Sequence, residues 1–116
     1  MYIDWLLNIP TISEANVQSH WAVKAKRQKL QKRIINEQFE LYDPVITLPC
    51  TVTLTRIGLR EIDDDNLAYA FKTIRDAIAD NLVKDKAPGQ ADSDKRITWL
   101  YKQESGKVRR IRVQIS

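Results

Sequence analysis

Apolar and polar residues alternate at the start of the chain. Ile3, Trp5 and Leu7 fall on one side and Tyr2, Asp4 and Leu6 on the other, which predicts a strand over residues 2–9. Pro10 and Thr11 close it, and Ser13 is placed to cap a long helix reaching about Phe39. At about 100° per residue, Val23, Leu30 and Ile34 share one stripe of that helix. Lys26, Lys29 and Arg33 share another, about a quarter to a third of a turn away, so a basic face is left for a partner. Beyond Asp43-Pro44 the alternation resumes from Val45 to about Ile57. Ile46, Leu48, Cys50, Val52 and Leu54 point one way there, and Thr47, Thr51, Thr53 and Thr55 the other. Pro49 suggests an edge position or a local bend in this strand.

Leu67, Ala70, Phe71, Ile74, Ile78 and Leu82 then recur at helical spacing, predicting a second helix from Asp64 or Asp65 to Leu82. Asp65, Tyr69, Lys72 and Asp76 fall on its opposite side. Residues 83–94 contain Pro88-Gly89 and read as a loop. Ile97, Trp99 and Tyr101 alternate in a further strand. After Glu104-Ser105-Gly106 a last strand sets Arg109, Ile111, Val113 and Ile115 against Arg110 and Arg112. The order β-α-β-α-β-β predicts an α+β fold: a small mixed β-sheet with two helices, forming a single domain over residues 1–116. So short a chain leaves one sheet face to be completed by another subunit.

Composition narrows the class. Cys50 is the only cysteine, so an intrachain disulfide and a cysteine-based zinc finger are excluded, and its place on the apolar face reads as a packed core thiol. No apolar run approaches the ~18 residues of a membrane span. The opening MYIDWLLNIP lacks the basic and long apolar regions of a signal peptide, so a soluble, cytoplasmic setting is expected.

The net charge of +4 matters less than its distribution. Lys24, Lys26, Arg27, Lys29, Lys32 and Arg33 follow one another without an acid, and Lys95, Arg96, Lys102, Lys107, Arg109, Arg110 and Arg112 face only Glu104 near the end. Acids dominate residues 61–94 between them. Two basic blocks around an acidic centre suit a protein that holds a polyphosphate with the blocks and cations with the centre. The sharpest feature is Asp63-Asp64-Asp65-Asn66 at the mouth of the second helix. Capping and the helix dipole account for one or two acids there, but three in succession repel unless a cation offsets them. With Asp64 as the cap, Asp63 and Asp65 are left as ligands, and hard carboxylate oxygens suit Mg²⁺ or Mn²⁺. Asp92 and Asp94 form a second acidic pair before the Ile97 strand.

Asp63-Asp64-Asp65-Asn66-Leu67, a helix and then an acid-rich loop resemble the RusA family of Holliday-junction resolvases, particularly its short phage-type members. Ser13-Glu14-Ala15-Asn16 with His20-Trp21-Ala22 resembles that family's beginning, as Arg96-Ile97-Thr98-Trp99-Leu100-Tyr101 resembles its segment after the loop. The resemblance covers almost the whole chain. It implies a homodimeric, Mg²⁺-dependent (Mn²⁺ as substitute) crossover junction endodeoxyribonuclease that cuts four-way DNA junctions in recombination and repair. Neither a membrane nor a small-molecule cofactor is implied, and the setting would be a bacterial cytoplasm, with the chain phage- or prophage-encoded.

Residue by residue, the resemblance assigns Asp63, Asp65 and Asp92 (Asp94 as the alternative) to the metal and to catalysis. The family's lysine position is here Tyr69, and Lys72 one turn on supplies the cation instead. The later acidic element reads Ala91-Asp92-Ser93-Asp94 where paired aspartates are usual. Metal-assisted hydrolysis would leave a 5′-phosphate and a 3′-hydroxyl. Lys26, Lys29, Arg33, Asn66, Arg110 and Arg112 would bind the DNA, largely through its backbone. His20 is a weaker candidate for a general base, a packing or phosphate-contact role being commoner for such a residue. Asn16 is a weaker candidate for a DNA contact, and Trp5 and Trp99 read as core rather than as base-stacking residues. The alternative from another class is a non-catalytic basic DNA-binding module, in which the acids only cap a helix.

Overall fold

The computed structural model describes residues 1–9, 21–87 and 90–116. The helix start expected at Ser13, and Asn16 and His20 with it, lie outside the described residues, as does Pro88-Gly89. The elements are β1 (Ile3–Leu7), α1 (Trp21–Tyr42), β2 (Cys50–Gly58), α2 (Asp64–Ala70), α3 (Lys72–Leu82), a 3₁₀ turn (Ala91–Ser93), β3 (Ile97–Ser105) and β4 (Arg110–Ile115). The four strands form one mixed sheet in the order β1-β4-β2-β3, with β2 and β3 parallel and the other pairs antiparallel. This is a small α+β fold.

The alternations set the register. Ile3 pairs with Ile115, which pairs with Val52, which pairs with Trp99. The next row on the same face is Trp5, Val113, Leu54 and Tyr101. These rows carry the core, and α1 and α3 pack together over them, burying Ile35, Phe39, Ile74 and Ile78. Trp5 meets the edge of Phe39 at 5.0 Å, which fixes α1 on β1. Cys50 is buried in this core, and burial raises its thiol pKa. No helix among the described residues is long and apolar enough to cross a membrane.

Four expectations are corrected. The stripe of α1 that faces the core is Gln31, Ile35 and Phe39, while Val23 and Leu30 stay 54% and 40% exposed. Phe39, buried near the end of the helix, docks on Trp5 of β1, and Ile34 beside this stripe packs on the core as well. The strand expected from Val45 begins only at Cys50, whose N–H donates to the Arg96 carbonyl at 2.9 Å. Pro49 has no N–H for the ladder and stands in a bend just before the strand, so of the two expectations the bend is found and the edge position is not, since β2 is interior. The second helix is two helices, parted at Phe71 (φ −92°, ψ 0°), where a tightened bond to Ala68 (3.2 Å) ends α2. Lastly, α1 runs past Phe39 to Tyr42 and ends at Asp43, whose positive φ of 41° and following proline stop it.

Although β3 and β4 are consecutive, β2 lies between them, so the connection arches over the end of β2. Gly106 makes the close approach: its N–H donates to the Gly58 carbonyl at 3.0 Å, and a Cβ there would sit 2.5 Å from Ile57. The sheet face away from the helices carries Tyr2, Leu6 and Leu100 exposed. It also carries a fork in which Arg112 donates from Nε and Nη2 to the two Asp4 oxygens, at 2.8 and 2.7 Å. Those hydrogen bonds hold the Asp4 carboxyl below the usual carboxylate range. A depressed pKa contributes stability that is full above the unfolded value, near ~4, and lost as pH falls through the folded one. Asp4→Asn is therefore expected to lower Tm slightly at neutral pH, with the gap from wild type closing below about pH 4. Thermal melts taken stepwise from neutrality to about pH 2 measure this, and a gap unchanged throughout would contradict it.

Candidate functional site

The connector into the acidic segment is fixed by β3. Gln103 accepts from the Ile62 N–H at 3.0 Å and donates to the Ile62 carbonyl at 2.7 Å, so Asp63 leaves a clamped residue. Asp63, not Asp64, is the cap of α2. One of its oxygens accepts the Asn66 N–H at 2.8 Å, and the other accepts from the Asn66 side-chain amide at 3.0 Å. The carboxylate assigned to a metal is thus engaged at the helix start, and the amide assigned to DNA is its partner. Asp64 and Asp65 follow in the first turn, where the helix dipole favours negative charge.

Asp65 lines a shallow depression of about 360 Å³ together with Tyr69 of α2, Lys72 and Arg75 of α3, Asp92 and Tyr101. Asp65, Lys72 and Asp92 are therefore brought to one place from three elements, and Asp63 is not among the residues that line it. Asp94 is committed elsewhere. It accepts from Arg96 at the backbone N–H (2.9 Å), Nε (3.0 Å) and Nη2 (2.9 Å), and that guanidinium holds its carboxyl well below the usual range.

The position of Asp92 rests on Arg75, which the sequence reading did not single out. Arg75 donates from Nη1 to the Tyr101 hydroxyl at 2.7 Å and from Nη2 to the Asp92 carbonyl at 2.9 Å. Its guanidinium lies 4.8 Å from the centre of the Trp99 ring, and its Nε stands 3.6 Å from an Asp92 carboxylate oxygen. Trp99 adds a bond from its indole N–H to the same Asp92 carbonyl at 3.2 Å. Asp76 was also missed, although it falls on the helical face of Asp65, Tyr69 and Lys72. Burial raises its carboxyl pKa first, and then the facing Asp92 carboxylate, while Lys32 and Lys72 pull the other way.

The basic candidates are dispersed. Lys26, Lys29 and Arg33 point outward from α1, and Arg33 stands 3.6 Å from Glu37 one turn on. Arg112 is taken by Asp4, whereas Arg110 borders an apolar hollow with Leu6, Ile57 and Val108 on the open sheet face. Among the described residues no three Asp, Glu, His or Cys side chains form a ready-made metal cage. The donor set still suits Mg²⁺, which keeps several waters and takes one or two carboxylates plus substrate phosphate. Asp65 and Asp92 are the two carboxylates that line the depression and could serve as that pair. No protein-family model, curated protein or solved structure matches the chain.

Proposed function

We propose that the protein is a magnesium-dependent endonuclease of the RusA type that cuts four-way DNA junctions, acting as a homodimer. The observation that carries this reading is the meeting of Asp65, Lys72 and Asp92 in one open depression, which capping needs do not explain. Asp65 and Asp92 would hold Mg²⁺, Asp92 rather than Asp94 because Arg96 occupies the latter. When bound, the ion would polarise the scissile phosphate and favour attack by water. Lys72 at the edge of the depression would offset the charge that grows on the phosphate oxygens. Arg75 fixes the Asp92 turn, and Lys26, Lys29 and Arg33 would follow the backbone without reading sequence. A second copy covering the open sheet face would supply the paired cut in the opposed strand.

The capping bonds of Asp63 favour one other reading, a DNA-binding module whose acids serve the helix alone. Gel-resolved cleavage of a labelled four-way junction, with Mg²⁺ and with EDTA, separates the two. Symmetric nicks in Mg²⁺ that vanish in EDTA are expected. Tight binding in both buffers with no nick in Mg²⁺ or Mn²⁺ would leave the module.

A further inference from the structure

A second cleft, of about 230 Å³, opens between α1 and the paired helices α2 and α3, and of its lining residues only Lys72 has a role in the proposed cleavage. Lys24, Gln28 and Lys32 recur every four residues and form one ridge of α1 along it, while Lys72 and Thr73 face them from the first turn of α3. Asp76 is the one acid among the described lining residues. Among the described residues, none of the three ammonium groups has a carboxylate oxygen within 4.0 Å. Three lysines line one cleft, where the Asp76 carboxylate offsets part of their charge through Lys32 and Lys72, and a further anion seated among them would offset the rest. The Gln28 amide and the Thr73 hydroxyl add neutral donors, which complete a set suited to phosphate oxygens.

This cleft shares Lys72 and Tyr69 with the carboxylate depression, so the two are neighbours along one track. Lys26, Lys29 and Arg33 lie about a third of a helical turn from the Lys24–Gln28–Lys32 ridge and do not line the cleft. We propose that the α1–α3 cleft binds a backbone phosphate of the cut strand, next to the phosphate presented to Asp65 and Asp92. The identity of the strand rests on the nuclease reading; the phosphate site itself does not.

The test is a binding assay on a four-way junction in EDTA, with single phosphates around the crossover replaced in turn by uncharged methylphosphonates. For wild type, one position is expected to weaken binding about three- to tenfold more than its neighbours. Lys24→Gln/Lys32→Gln abolishes that excess. Lys24→Arg/Lys32→Arg keeps it, which separates a lost contact from a lost fold. Lys26→Gln/Lys29→Gln loses affinity evenly and keeps the excess as well. A flat wild-type scan, or a Gln double variant with the wild-type position dependence, overturns the proposal. Because the assay needs no metal, a chain that shows the position dependence yet never cuts keeps this site and loses the nuclease reading. A chain that cuts with a flat scan does the reverse.

Discussion

Asp65→Asn is expected to slow Mg²⁺-dependent junction cleavage by about two to three orders of magnitude while changing junction affinity less than about threefold. On the proposed reading the substitution removes one of the two carboxylates that would hold Mg²⁺, an ion that would supply several kcal/mol of transition-state stabilisation, and ~1.4 kcal/mol is tenfold in rate. The fold should hardly notice. Asp63 makes the capping bonds, so Asp65 offers the helix only its charge near the dipole, typically about 0.3–1 kcal/mol. Asp64→Asn is the matched control, with the same chemistry one residue away on a side chain outside the depression. It should leave cleavage within about twofold, since no reacting group is touched. Equal cleavage by wild type and Asp65→Asn would remove this carboxylate from the chemistry.

Arg75→Met is the second large effect, and it falls on stability and activity together. The substitution keeps much of the apolar stem but deletes two charge-assisted hydrogen bonds and the contact with the Trp99 ring. At about 1.5–3 kcal/mol for a hydrogen bond to a charged group, discounted for partial exposure, a loss of about 2–4 kcal/mol is expected. Denaturant unfolding measures it. Tyr101→Phe, which removes one of those bonds, should cost about 1 kcal/mol. Under conditions where Arg75→Met is still folded, its cleavage should fall about 10- to 100-fold with a raised Mg²⁺ requirement, as when a metal ligand loses its support. An unchanged Mg²⁺ requirement would confine Arg75 to the fold.

The sheet was legible because strand side chains repeat every second residue. Ile111, Val113 and Ile115 could only lie on one face, and all three are buried. The rotation of α1 was not legible. Val23 and Leu30 are as apolar as Ile35, and the stripe that turns inward is decided by tertiary contacts such as those of Phe39 and Tyr42 with Trp5. At the acidic segment, three consecutive aspartates offered equivalent caps. Asn66 settles the choice, because its amide reaches back to the residue three before it. Arg75 gave no periodic signal at all. Its partners, Tyr101 and the Asp92 carbonyl, are 26 and 17 residues away and meet it only in the folded chain.

The parallel pairing of β2 with β3 also bears on when the site forms. Parallel neighbours cannot zip from a tight turn, and the chain between Gly58 and Ile97 must first collapse into α2, α3 and the 3₁₀ turn. Asp65 and Asp92 sit at opposite ends of that crossover, so nascent or partly folded chains carry the two carboxylates apart. On the proposed reading, capacity to bind the cation would therefore appear only with the docking of β3, and an incomplete chain would meet DNA without the means to cut it.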